Sequence, residues 1–123
     1  MTSAAKILIV EDEPLLRKAF EFLLKSEGYK VKTAKDGKLG IGALQTYKPD
    51  VVLLDMLMPV MNGMDFLENS NVSAILPDCK IIVLSNLSDT VQLKDVKKYN
   101  VHKILLKANL SPNELVNEVK SIK

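Results

Sequence analysis

Three short apolar runs constrain this chain more than any other feature: Lys6–Val10 (KILIV), Val51–Leu54 (VVLL) and Lys80–Leu84 (KIIVL). Each is strand-length and hydrophobic at nearly every position, the pattern of a strand covered on both faces. Lys30–Ala34 (KVKTA) alternates and reads as an edge strand; Lys103–Leu106 (KILL) is a fifth candidate. Helical patterns fill the gaps. Pro14–Glu27 turns Leu16, Phe20, Leu23 and Leu24 to one side; Pro14 suits a first turn and Gly28 a stop. Lys38–Tyr47 is weaker, because Gly40 and Gly42 each cost roughly 1 kcal/mol relative to alanine. A helix begins at Met64 and fades over Asn69–Ser73. Another spans Thr90–Tyr99 behind the N-cap candidate Asp89. The last covers Asn113–Ile122, where Ser111 and Glu114 have capping-box spacing. Strand and helix thus alternate, with no repeat and no linker. Parallel strands need crossover connections of this kind. The expected fold is a single α/β domain over residues 1–123, a five-stranded parallel sheet with helices on both faces. Its ligands would sit beyond the carboxyl ends of the strands.

The bulk numbers agree with one domain. The chain has 123 residues, 47% hydrophobic and 26% charged, with net charge +2. That balance gives no support to nucleic-acid binding, and the lysines read as scattered. The single cysteine, Cys79, excludes an internal disulfide, fits a reducing compartment and reads as a packing residue. No basic-then-apolar leader is present, and the apolar runs fall far short of the roughly 20 residues of a membrane span. A cytoplasmic location is expected.

The chemistry gathers where the strands end. VVLL runs straight into Asp55, at a place where desolvation disfavours a charge. Either a cation holds that carboxylate or the carboxylate is used. KILIV is followed by Glu11 and Asp12, KIIVL by Ser85, and KILL by Lys107. A parallel sheet brings these ends to one edge, so three carboxylates, a hydroxyl and an ammonium should share a crevice. Such a set suits phosphoryl transfer to a carboxylate. The acidic groups need a divalent cation, and Mg2+ prefers hard oxygen ligands. Asp12 and Asp55 are candidate ligands, with Glu11 acting through water. Lys107 would pair with Asp55 when the site is empty and with a phosphoryl oxygen when it is loaded. Ser85 would donate its hydroxyl to another phosphoryl oxygen. Singly, each residue has a plainer role: Glu11 and Asp12 as helix-start acids, Asp55 as a structural carboxylate, Ser85 as a loop serine, Lys107 as a surface lysine. The combination is what points to chemistry.

With these residues in place the sequence resembles the receiver domain of two-component response regulators along its whole length. The carrying motifs are the acidic pair in VEDEP, the D-x-x-M-P-x-M-x-G of Asp55 to Gly63, the strand-terminal Ser85, and Lys107. The resemblance implies a flavodoxin-like fold with strand order 2-1-3-4-5. It implies Mg2+ held by Asp12, Asp55 and the backbone carbonyl of Leu57. It also implies phosphorylation of Asp55 by a sensor histidine kinase or a histidine phosphotransfer protein. The domain would promote only its own phosphorylation and dephosphorylation, and would pass the signal to an effector or a homodimer.

Four features, at five positions, depart from the family pattern. Ala108 follows Lys107 where members usually carry a cis proline, so a trans bond is expected. Ile104 replaces the usual aromatic switch residue, so any switch is an aliphatic repacking. Asn86 follows Ser85 where a small residue is usual. Leu57 and Leu87 flank the site, and neither can orient an attacking water, so slow self-dephosphorylation is expected.

Outside the site, Leu15, Ala19 and Phe22 form a second apolar stripe on the first helix. Either that helix is buried broadly, or the stripe docks the kinase's helices. Met56, Met58, Met61 and Met64 read as flexible packing, and His102 carries no assigned role. Three rival readings differ in their chemistry. An aspartate-nucleophile phosphohydrolase wants an acid two residues after the nucleophile, where Leu57 stands. A flavin module would have its phosphate repelled by Glu11 and Asp12. A degenerate receiver would act as a phosphorylation-independent binding module. No effector domain follows Lys123 in this sequence, which is expected to be either a stand-alone receiver or part of a longer regulator.

Overall fold

In the computed structural model, residues 5–56, 61–85, 99, 101–107 and 110–122 are described. Five parallel strands form one sheet in the order β2-β1-β3-β4-β5. They are β1 (Lys6–Val10), β2 (Lys30–Ala34), β3 (Val51–Asp55), β4 (Lys80–Ser85) and β5 (Lys103–Leu106). The helices are α1 (Pro14–Ser26), α2 (Gly37–Tyr47), α3 (Gly63–Ser70), the single turn α4 (Val72–Ile75) and α5 (Pro112–Lys120). This is the doubly covered sheet that the apolar runs imply. Most of the helix expected over Thr90–Tyr99, together with Leu57, Met58, Asn86, Leu87 and Ala108, lies outside the described residues.

Strand periodicity sorts the core into two halves. Ile7, Ile9, Val51, Leu53, Ile82 and Leu84 face one way, onto Phe20 and Leu24 of α1 and Leu115, Val116 and Val119 of α5. Leu8, Val10, Val52, Leu54, Ile81 and Val83 face the other way, onto Ala43 and Leu44 of α2 and Phe66 and Leu67 of α3. The alternating KVKTA segment is an edge strand, as its pattern requires. Among the described residues no helix is long and apolar enough to cross a membrane.

Local boundaries follow caps that the apolar pattern does not reveal. Asn62 accepts a hydrogen bond from the Asp65 amide at 2.9 Å, so α3 starts at Gly63 rather than Met64. It stops at Asn71, whose φ of 52° is left-handed, and the short α4 follows. Asp36 caps α2 through the Leu39 amide at 2.9 Å. Ser111 and Glu114 form the full capping box of α5, which begins at Pro112. Strands β3 and β4 each run one residue further than their apolar runs, so Asp55 and Ser85 are strand residues.

Two readings need correction. Helix α1 is not broadly buried: Leu15 is 79% and Phe22 73% exposed. Ala19 is exposed too, and Phe20 and Leu24 alone carry the fully buried face. The lysines are not evenly scattered either. Lys32, Lys35 and Lys38, close together along the end of β2 and the start of α2, surround one groove beside β2 together with Arg17 of α1.

The two α2 glycines behave differently. A Cβ on Gly40 would lie 3.0 Å from both Phe66 and Val10, so α2 approaches the sheet only because that atom is missing. A Cβ on Gly42 would meet nothing within 4 Å. We therefore expect opposite signs from identical chemistry. In urea unfolding, Gly42→Ala should raise stability by about 0.5–1 kcal/mol, whereas Gly40→Ala should lower it through overpacking.

Candidate functional site

The register of the sheet assembles the site. Val10 pairs with Leu54, so the residues following β1 stand beside Asp55 at the end of β3. Asp55 pairs with Leu84, and Ser85 with Leu106, which carries the set on to Lys107. All of these lie at the carboxyl edge. The loop leaving β3 folds tightly back: the Gly63 amide donates to the Met56 carbonyl at 3.0 Å. A Cβ on Gly63 would come within 2.8 Å of the Asp55 carbonyl oxygen, so only glycine fits the end of the D-x-x-M-P-x-M-x-G segment.

Glu11 and Asp55 are almost wholly buried, at 0% and 2% exposure, and Asp12 is half-buried. One oxygen from each of the three lies within 4.8 Å of the others. The Lys107 ammonium stands 3.1 Å from a Glu11 oxygen and 3.1 Å from an Asp55 oxygen. Burial pulls the Lys107 pKa down, but Asp55 and then Glu11 more than offset that, and it ends above the ordinary lysine value. Burial first, then the hydrogen bond and charge of Asp55, push the Glu11 carboxyl up to about 7. The Glu13 amide, which donates to Glu11 at 3.2 Å, and Lys107 oppose that rise. Ser85 is buried at the end of β4, and its hydroxyl has no hydrogen-bond partner among the described residues.

Not every sequence candidate lies in this cluster. Ile104 sits on β5 opposite Val83, half-buried against the α2–α3 side of the core. Leu15, Ala19 and Phe22 lie on the exposed face of α1. Cys79 is buried and its thiol is pushed up to about 12, first by burial and then by Asp50, which suits a packing residue. Sequence reasoning missed Arg17. Its guanidinium donates to the Glu11 carbonyl at 2.9 Å and the Asp12 carbonyl at 3.3 Å, fixing the backbone that presents both carboxylates. Its place one helical turn into α1 was a weak signal beside the apolar stripe.

The donor set fits a hard divalent cation. Three carboxylate oxygens converge, two from buried residues, and the Lys107 ammonium lies against two of the three carboxylates. Mg2+ binds oxygen and keeps several waters, so such an open acidic edge suits it.

The chain matches the family model of the response regulator receiver domain over residues 7–120. It belongs to that family and is the receiver domain of a response regulator in two-component signalling. The probable transcriptional regulatory protein TcrX of Mycobacterium tuberculosis is 31% identical over 109 residues, which cover 82% of this chain and 47% of that protein. The DNA-binding response regulator MtrA of Mycolicibacterium smegmatis is 30% identical over 120 residues, covering 98% of this chain and 51% of MtrA. The chain thus spans about half the length of these curated relatives. Among solved structures, the chemotaxis protein CheY4 of Vibrio cholerae superposes with a TM-score of 0.87 at 26% identity, covering 98% of this chain and 99% of that one. The N-terminal domain of an uncharacterized Wolinella succinogenes protein gives 0.86 at 28% identity, covering 97% and 94%.

The Glu11 environment has a pH consequence. Its folded pKa lies above that of an ordinary glutamate, so neutral Glu11 favours the folded state. That contribution is complete below the unfolded pKa and is lost as pH rises through about 7. Melting curves in a chelating buffer should therefore show Tm falling across this window, and Glu11→Gln should flatten the fall.

Proposed function

We propose that this receiver is a working phosphoacceptor. Asp55 takes a phosphoryl group from a sensor histidine kinase or a histidine phosphotransfer protein. The loaded domain then presents a changed surface to an effector or to a second copy. The observation that carries this reading is the convergence of Glu11, Asp12, Asp55 and Lys107 at one strand edge. In the transfer a P–N bond to the donor imidazole breaks and a P–O bond to Asp55 forms; the imidazole nitrogen keeps the electron pair. Asp12, Asp55, the Leu57 carbonyl and, through water, Glu11 would hold Mg2+, which supplies charge neutralisation at the phosphoryl oxygens when bound. Lys107 exchanges its contact with the Asp55 carboxylate for one with a phosphoryl oxygen.

Ser85 gives the switch its direction. Its buried hydroxyl lacks a partner among the described residues, and a phosphoryl oxygen would supply one. A bond made in only one state biases the equilibrium toward that state. Ile104, without a ring to reorient, limits the response to a modest repacking of β5 against the core. The exposed stripe of Leu15, Ala19 and Phe22 offers a kinase an apolar face close to the acidic edge. A cytoplasmic site of action goes with such donors. The presence of the whole residue set weighs against a degenerate, phosphorylation-independent module.

Incubation with acetyl phosphate and Mg2+ should add the mass of one phosphoryl group. Asp55→Asn or EDTA should abolish the gain, and no gain in the unaltered protein would refute the reading. Decay of the phosphorylated form should be slow, since Leu57 and Leu87 cannot position water, and Leu57→Asn should accelerate it. Leu15→Asp should reduce transfer from a kinase while uptake from acetyl phosphate persists; equal loss with both donors would contradict docking through α1.

A further inference from the structure

A second feature adjoins the acidic edge, sharing Arg17 and Ala34 with the backbone of Glu11 and Asp12. An open groove of about 920 Å³ runs between the free edge of β2 and the outer face of α2. Arg17, Lys32, Lys35 and Lys38 stand around it, against one acid, Asp36, whose carboxylate already caps α2. Leu39, 50% exposed, contributes apolar surface to the same groove, as do Ala34 and Ala43.

Gly42 is the telling residue. It stands in the middle of α2 and lines this groove. A glycine there costs roughly 1 kcal/mol of helix stability relative to alanine. Gly40 has a packing reason for lacking a side chain; Gly42 has none, since a Cβ there meets nothing within 4 Å. What its missing side chain does is keep the groove open. The strand wall adds a second element of recognition. The Lys30 amide and the Ala34 carbonyl both bond inward, toward the β1 side. Backbone groups alternate direction along a strand, so Val31 and Thr33 turn theirs outward, to the edge that no strand among the described residues covers.

We propose that this groove docks an extended, acidic segment of a partner protein. The segment would add to the outer edge of β2, lay small apolar side chains on Leu39 and Gly42, and place its carboxylates among Lys32, Lys35 and Lys38. A concave cleft beside a free strand edge fits a single peptide strand better than a flat membrane surface or a wide duplex.

The test uses a capped hexapeptide alternating Glu and Val, titrated into isotopically labelled protein. Amide shifts should centre on Thr33, Leu39 and Gly42, and the charge-reversed Lys–Val peptide should leave them unmoved. Gly42→Leu, whose Cβ meets nothing within 4 Å, projects a side chain into the groove and should weaken the peptide by about tenfold or more. Gly42→Ala should keep most of the binding, Lys35→Glu should lose it, and acetyl phosphate should still load Asp55 in all three. Absence of shifts, or binding indifferent to Gly42→Leu, would overturn the proposal. So would a DNA duplex that outcompetes the peptide at the same residues, or self-association abolished by Gly42→Leu, which would assign the groove to a second copy.

Discussion

One ammonium between two buried carboxylates organises the carboxyl edge of the sheet. Lys107 lies 3.1 Å from both Glu11 and Asp55. Neither carboxylate has appreciable contact with water. Burial first, and then the hydrogen bond and charge of Asp55, push the Glu11 carboxyl up to about 7, above the usual carboxylate range. The arrangement holds together without a phosphoryl group, yet it is electrostatically unfinished. In the proposed function a divalent cation would add positive charge here, and an arriving phosphoryl group would give Lys107 another acceptor. On that reading, the interaction that stabilises the resting domain is also the one that phosphorylation would rearrange.

That arrangement depends on close backbone approaches elsewhere. Gly63 lets the loop after β3 return to within hydrogen-bonding distance of Met56, which keeps the Asp55 segment in place. Gly40 lets α2 settle against Val10 and Phe66, and so keeps β1, which carries the acidic pair, packed from below. Arg17 fastens the other end of the same loop through the Glu11 and Asp12 carbonyls. Fold and site are joined at these contacts: each removes freedom from a backbone segment that ends in a reactive side chain.

Much of this was legible in the sequence, for a physical reason. Near-continuous apolar runs cannot be half-exposed, so KILIV, VVLL and KIIVL had to be interior parallel strands, and the residues after them had to share an edge. Alternation marked KVKTA as the margin. What stayed hidden was what depends on three-dimensional proximity rather than period. The cap made by Asn62, the left-handed Asn71 and the contact of Arg17 with two carbonyls leave no periodic trace. Gly40 and Gly42 read alike as weak points in a helix; only their surroundings separate a packing glycine from one facing an open groove. The lysines of KVKTAKDGK do stand close in the sequence; what stayed hidden was that Arg17 of α1 joins them around one groove.

The central claim is that Asp55 accepts a phosphoryl group with the help of a metal held beside it. Fluorine NMR with beryllium fluoride, a stable phosphoryl mimic, tests it most directly. Bound resonances should emerge only when Mg2+ is present and should vanish in Asp55→Asn. A folded protein that shows no bound signal at saturating Mg2+, or one whose signal survives Asp55→Asn, would contradict it.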